Sequence, residues 1–274
     1  MGLTSEIENI DPRYKNTILT IFGKQICAMG LSMSNIFLHS QDRKGWRKLI
    51  VIFDVEGVLI DGELLPSLAR LVDKEEEVKK LTLMGIRGEI DWEEGLRRRL
   101  KLLRGISYDE CRNVAESLPF TEGAHQMVEE LRRMGAILVG VSGGFSILTS
   151  RVKSQLGLDH VFSNELVFHS NRLIGYGQLV NSNKTQILKT AFDDLLEREP
   201  KVAVVDGAND LDLFKIADLK IAFNAQPIVK QKADVIIDRK DLREVSKTIK
   251  AYIEAGKLGA EGKSNAKASE TSKV

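Results

Sequence analysis

The chain has 274 residues, 43% of them hydrophobic, which is enough for one sizeable α/β domain plus a smaller insertion. Lys and Arg total 40 against 39 Asp and Glu, so there is no basic surplus to grip a phosphate backbone, and nucleic acid is excluded as an expected partner. The two cysteines, Cys27 and Cys111, stand in no metal-binding or redox spacing; they predict neither a disulfide framework nor a zinc site and suit a reducing cytoplasm.

In chain order, residues 1–46 form an extension of no assigned role that can be helical over residues 14–38. Its apolar stretch is interrupted by Lys24, Gln25, Ser32, Ser34 and Asn35, short of the roughly 18 unbroken apolar residues of a membrane span. The opening Met1-Gly2-Leu3-Thr4-Ser5-Glu6 has neither the basic start of a secretory signal nor the Ser or Thr of a myristoylation motif. No membrane partner is expected.

Residues 49–53 are a continuous apolar run closed by Asp54-Val55-Glu56-Gly57-Val58. This reads as a buried parallel strand that delivers Asp54 to the carboxyl edge of a sheet, where ligands gather. After the turn signal Asp61-Gly62, residues 63–116 carry no strand signal. Leu64, Leu65, Leu68, Leu71 and Val72 have helical spacing, Glu75 to Lys80 supply acid-to-base pairs at helical separation, and Asp91 is placed to cap a helix running through Leu96, Leu100 and Leu103. An all-helical insertion, a candidate lid, is expected there, leaving 47–62 and 117–250 as the core.

The core resumes with a helix over 123–134 and a strand over 136–141, ending in Ser142-Gly143-Gly144 ahead of a helix over 145–156. Residues 166–179 alternate around Ser170-Asn171 and predict a hairpin. A helix over 184–196 precedes a strand over 202–205, which ends in Asp206-Gly207-Ala208-Asn209-Asp210; short strands follow at 219–223 and 235–238. Repeated strand and helix units predict a doubly wound parallel sheet. Residues 251–274, mostly Gly, Ala, Ser, Lys and Glu from Ala255 onward, read as a disordered tail.

Two strands therefore present carboxylates to one rim, and carboxylates converging without neutralising partners imply a hard cation, Mg²⁺. Ser142-Gly143-Gly144 offers a hydroxyl and free N–H groups at a strand-to-helix junction, a place suited to an anion. Lys184 opens a helix, where the dipole disfavours a cation unless an anion stands opposite. Together these supply a carboxylate nucleophile, an anion cradle, a lysine and an acidic loop, the parts that phosphoryl transfer needs.

In order and spacing, Asp54 to Val58, Ser142-Gly143-Gly144, Lys184 and Asp206 to Asp210 resemble the motifs of the haloacid dehalogenase superfamily of phosphatases. Val139 to Phe145, Val205 to Asp210 and the helical insertion look like its phosphoserine phosphatase branch. The resemblance implies a Rossmann-like core with a small cap after the first strand. It also implies Mg²⁺-dependent hydrolysis of O-phosphoserine, a small phosphorylated amino acid of serine biosynthesis, through an aspartyl-phosphate. It makes Asp54 the nucleophile and Glu56 the acid and base. Asp54, Asp206 and the Glu56 backbone carbonyl become metal ligands, Ser142, Gly143 and Lys184 hold the phosphoryl oxygens, and Asn209 and Asp210 complete the acidic loop. In the insertion Glu63 falls to the substrate ammonium, Arg99 to its carboxylate, and Trp92 to a position where Phe is common.

Several bland readings compete with these. Arg97, Arg98 and Arg99 form a charge run of the kind that covers a solvated face, Trp92 could be ordinary core, and His39, His125, His160 and His169 show no ligand spacing. One departure from the pattern matters: the usual Asp-x-Asp is Asp54-x-Glu56 here. A similar sequence occurs in phosphoserine:homoserine phosphotransferase relatives, which opens transfer to an alcohol as an alternative to water. A catalytically weak binding or regulatory protein on the same fold is the rival from another class; it would not need nucleophile and metal carboxylates together.

Overall fold

The computed structural model describes residues 49–258. The expected N-terminal helix and most of the expected tail lie outside them, as does Cys27; Cys111 is a free, buried thiol. At the centre runs β1 (Ile50–Phe53), buried along its whole length. Val51 and Phe53 join one hydrophobic core while Ile50 and Ile52 join another on the opposite face. That two-sided burial is why the sequence shows an apolar run rather than alternation. β2 (Ile137–Phe145) and β5 (Lys201–Val205) flank β1, both parallel to it.

The remaining strands are β3 (His160–His169), β4 (Arg172–Gly177), β6 (Leu219–Phe223) and β7 (Val235–Ile237), giving a seven-stranded sheet in the order β4-β3-β2-β1-β5-β6-β7. All pairings are parallel except β3 with β4. The chain builds outward from β1 in one direction and then in the other. The C-terminal ends of β1 and β5 therefore border the crevice where such sheets bind ligands.

Between β1 and β2 lie α1 (Leu64–Ala69), α2 (Glu75–Ile86), α3 (Trp92–Leu102), α4 (Tyr108–Ser117) and α5 (Ala124–Arg133). The first four form the cap. Asp91 caps α3 as its sequence position predicts, accepting from the Glu94 N–H at 2.9 Å. The cap leaves the core where Ile60 bridges Phe120 and the Asp61 N–H meets the Pro119 carbonyl at 2.9 Å. It is also stitched to the β3–β4 hairpin, the Gly105 N–H donating to Leu173 O at 2.9 Å and the Leu173 N–H to Ile106 O at 2.8 Å. Helices α6 (Ser146–Val152), α7 (Lys184–Arg198), α8 (Pro227–Lys230) and α9 (Arg243–Glu254) cover the sheet.

The expected hairpin forms, with Ser170 and Asn171 at φ 46° and 61°, the left-handed pair that a tight two-residue connection requires. Its first strand starts at His160, before the alternating stretch, because Val161 and Phe162 pair with β2 in parallel before β3 turns to β4. Three further expectations are corrected. β2 continues through Ser142-Gly143-Gly144 to Phe145, so the strand outlasts its expected end at residue 141 and these residues form its irregular end. The helix after it is shorter and relaxes into a wider π turn at Lys153–Gly157. The tail does not begin at 251, since α9 runs to Glu254 with Tyr252 and Ile253 packed on the core, and Leu258 is buried. Packing of an apolar stripe outlasts the change in composition.

The start of α9 is fastened to the turn before α5 by ionic bonds. Asp241 accepts from Arg243 Nε at 2.8 Å and from its NH2 at 2.7 Å, and the same guanidinium reaches Glu122 at 2.6 Å. Hydrogen bonding from Arg243 holds the Asp241 carboxyl down at about 2. A depressed carboxyl stabilises above its unfolded pKa and loses that contribution as pH falls through the folded one. Asp241→Asn is therefore expected to lower the melting temperature by a few degrees at pH 7, and the gap to the parent should close between about pH 4 and pH 2. Thermal melts across that window check it.

Candidate active site

The ends of β1, β2 and β5 and the start of α7 converge beneath the cap. Asp54 follows β1 directly and is nearly buried. Lys184, the first residue of α7, donates to Asp54 Oδ1 at 2.7 Å and to the Val141 carbonyl at 3.2 Å, and pairs with Asp210. Burial alone would lower the lysine's pKa, but the charges of Asp210 and Asp54 outweigh it and hold the ammonium protonated. The helix dipole that disfavours this cation is answered by those two carboxylates and by Asp212, which accepts the Thr185 N–H at 2.8 Å.

Asp54, Asp206 and Asp210 offer carboxylate oxygens within 4.8 Å of one another. Burial and the charges of Asp54 and Asp210 push the Asp206 carboxyl well above the usual range, and the second oxygen of Asp210 is buried with no hydrogen-bond partner. An oxygen-rich cluster with such surplus charge fits a hard divalent cation. The chain reaches it through Gly57, at φ 83°, where any side chain would collide with the Asp206 carboxylate. Asn209 donates to Asp210 at 3.0 Å and leaves its own carbonyl oxygen unpartnered.

Glu56 extends from the β1 loop toward the cap. One oxygen accepts the Leu64 N–H at 2.5 Å, at the start of α1, and the other fills the place a side chain on Gly144 would occupy. Burial raises its pKa to about 7. Glu63, the residue before α1, is pushed well above the carboxylate range by burial and by the charges of Glu56, Asp206 and Asp54. Arg99 acts the other way on both acids. It is 3% exposed, donates to Gly95 O and Thr82 Oγ1 at 3.2 Å each, and its NH2 has no hydrogen-bond partner. Its guanidinium lies 4.9 Å from the centre of the Trp92 ring, and the indole in turn covers Gly143.

Asp54, Glu56, Glu63, Trp92, Ser142, Gly143, Lys184, Asp206 and Asn209 thus line one space, joined by Ile86 and Gly144. Arg99 and Asp210 stand behind it. The space is about 20 Å³, room for one water, so the cap is closed over the site. A larger groove of about 660 Å³ lies between α4, α6 and β3, but it gathers none of these residues. Gly144 belongs to the cradle the sequence marked; sequence reasoning missed Ile86, Asp212 and Glu93, whose carboxylate accepts the Ser182 N–H of the core at 2.8 Å. For Glu93 the available signal was its neighbour Trp92; for Asp212 it was a third acid beside Asp210. No helix among the described residues is long and apolar enough to cross a membrane.

A sheet with this switch point, an aspartate at the end of β1 bonded to a lysine, and an acidic loop after β5 define a class. The chain belongs to the haloacid dehalogenase-like hydrolases, whose family model matches residues 49–218. Within that class it is similar to phosphoserine phosphatases. It is 40% identical over 208 residues to the one from Methanocaldococcus jannaschii, covering 74% of this chain and 99% of that protein. It is 37% identical to that of Wolinella succinogenes, over 72% of this chain and 97% of the relative. Among solved structures, a phospho-aspartyl intermediate analogue of phosphoserine phosphatase superposes with a TM-score of 0.70 at 36% identity, covering 74% of this chain and 99% of that one. A substrate-bound phosphoserine phosphatase complex gives a TM-score of 0.70 at 36% identity, over 75% of this chain and 99% of that one.

Gly143 tests how tightly the cap closes. A Cβ there would stand 2.7 Å from Trp92 Cζ2 and 3.1 Å from Cε2, and a rigid bicyclic ring cannot fold away. Gly143→Ala, made in a Trp46→Phe background so that Trp92 alone reports, is expected to push the indole toward water. Its emission should move to the red, with turnover falling alongside.

Proposed function

We propose that the protein is a Mg²⁺-dependent phosphomonoesterase that hydrolyses O-phosphoserine to serine and phosphate. The observation that carries the substrate assignment is the pair of groups beneath the closed cap: a buried Arg99 with an unpaired NH2, and Glu63, which burial and the neighbouring acids leave in need of a cation to hold its charge. A guanidinium with a free donor suits a carboxylate, and a carboxylate in surplus suits an ammonium. A zwitterionic amino-acid phosphate satisfies both, and the identity to phosphoserine phosphatases supports the same reading.

In this mechanism an oxygen of Asp54 attacks phosphorus in line with the serine oxygen, and the P–O bond to serine breaks as the new bond to Asp54 forms. Ser142 Oγ, the Gly143 N–H and Lys184 hold the phosphoryl oxygens. Protonated Glu56 gives its proton to the leaving alkoxide; a value of about 7 suits a group that must be an acid in one half of the reaction and a base in the other. After serine leaves, Glu56 takes a proton from water, which attacks the aspartyl-phosphate, releases phosphate and restores Asp54. Asp210 and Asn209 keep Lys184 and the acidic loop in place. Asp54, Asp206 and the Glu56 carbonyl would hold Mg²⁺, which when bound neutralises the carboxylates and withdraws charge from the phosphoryl oxygens. The closed cap excludes bulk water, so the acceptor is whichever molecule the site admits.

Turnover of phosphoserine with Mg²⁺, and its loss in excess chelator, is the direct test; full activity in chelator would remove the metal from the scheme. Asp54→Asn is expected to abolish turnover in a chain that still folds, because Asp210 continues to pair with Lys184, and Glu56→Gln to slow it by roughly 10² to 10⁴. Glu56 also favours a second reading, phosphoryl transfer to an alcohol. Phosphate release and acceptor phosphorylation, measured in parallel with and without homoserine, separate the two, because only transfer gives a phosphorylated acceptor.

Specificity gives an independent check. Arg99→Ala is expected to cut kcat/KM for phosphoserine by roughly 10² or more while sparing an aryl phosphate, which has no carboxylate to lose. Equal losses on both substrates would make Arg99 a structural member of the cap and withdraw the amino-acid phosphate assignment.

A further inference from the structure

The pairing of β2 with β3 is in register from Val139 and His160 to Val141 and Phe162, and resumes at Phe145 and Asn164. While β2 advances from Val141 to Phe145, β3 advances only from Phe162 to Asn164, so β2 bulges out of the ladder. The bulged stretch is Ser142-Gly143-Gly144. A carbonyl expelled from a ladder inside a protein must find another donor. The Gly143 carbonyl finds the side-chain amide of Asn164, whose Nδ2 donates to it at 2.9 Å.

The other end of that amide is also used. Asn164 Oδ1 accepts the N–H groups of Leu179 and Val180, both at 2.8 Å, in the segment that leads into α7 and Lys184. Asn164 is fully buried and lines neither the catalytic space nor the acidic cluster. One planar group, bonded three times, therefore spans from the phosphate cradle on β2 to the chain that carries the lysine. A buried asparagine costs several hydrogen bonds to accommodate, and an apolar residue would hold two segments together as well if adhesion were the only need.

We propose that Asn164 is a positioning residue for the phosphoryl site, setting the separation between the Ser142-Gly143 cradle and Lys184 so that both grip the same phosphoryl group. The inference rests on the phosphatase reading above. It differs from the roles of Glu63 and Arg99 because it concerns the phosphoryl group, which every substrate shares, and not the amino-acid end.

The informative variant is Asn164→Asp. It keeps the size and an oxygen for Leu179 and Val180, but an ionised carboxylate has no donor for the Gly143 carbonyl. Rates are measured per mole of folded protein on phosphoserine and on p-nitrophenyl phosphate, with inorganic phosphate as product inhibitor. The expected result is a fall in kcat/KM of roughly tenfold or more, by the same factor on both esters, with the phosphate inhibition constant rising in parallel. A folded variant within about twofold of the parent on every measure overturns the proposal. So does a loss confined to phosphoserine, which would assign Asn164 to the amino-acid end. A parent that hydrolyses neither ester sinks the phosphatase reading and this inference with it, whereas an active parent with an unaffected variant sinks Asn164 alone. Should the variant not fold, hydrogen exchange in the parent decides: the Leu179 and Val180 amides are expected to slow when inorganic phosphate binds, and unchanged exchange overturns the proposal.

Discussion

The structure depends on one buried cation. The Lys184 ammonium lies between Asp54 and Asp210 in a region closed to solvent, and each of the three residues comes from a different segment: the start of α7, the end of β1 and the loop after β5. Burying one such charge without the others would cost several kcal/mol, on the order of what a whole domain holds in reserve. The three segments therefore have to arrive together. The lysine also sits where its own helix repels it, which makes the anions opposite a condition of α7 starting there and not an ornament on it.

Around that cation the site is built in two layers of opposite character. Below, on the sheet, acids outnumber the single lysine and leave Asp206 and Asp210 short of positive charge. Above, in the cap, Arg99 lies 4.9 Å from the Trp92 ring centre and has a donor to spare. Glu56 and Glu63 lie between the layers, and burial raises both. The longer side chain at position 56 is what lets one residue reach both the sheet, at Gly144, and the cap, at the Leu64 N–H. A shorter acid at this position could not span the same distance without movement of α1.

Much of this was legible in the sequence because strand ends in a parallel sheet are written locally. An apolar run followed at once by Asp54, and another followed by Asp206, state their own positions, and a lysine at a helix start states a conflict that only an anion resolves. The cap residues were legible in a weaker way: Asp91 marks the beginning of α3, but Trp92 and Arg99 were singled out only by the family resemblance, and it is the folded helix that brings them together. What the sequence did not give up were the contacts made across the chain. Asn164 looks like one polar residue among several in β3 until the bulge in β2 places a bare carbonyl opposite it, and Asp212 reads as one more acid until α7 is seen to begin beside it. Strand and tail boundaries drifted for the same reason: packing against distant residues kept β2 and α9 going after their local signals had ended.

The cap's double fastening limits how the site can be reached. Its root is held by the Ile60 and Phe120 bridge, and the turn between α3 and α4 is laced to the hairpin through Gly105, Ile106 and Leu173. The corner carrying Ile86 and Trp92 meets the core through side chains, with Glu93 and the Ser182 N–H as a single clasp, and no backbone ladder crosses there among the described residues. A lid pinned along one line and clasped at the opposite corner is a hinged shutter rather than a removable plug. With the space beneath it about 20 Å³, any molecule larger than a water can come or go only when the clasped corner parts from the core.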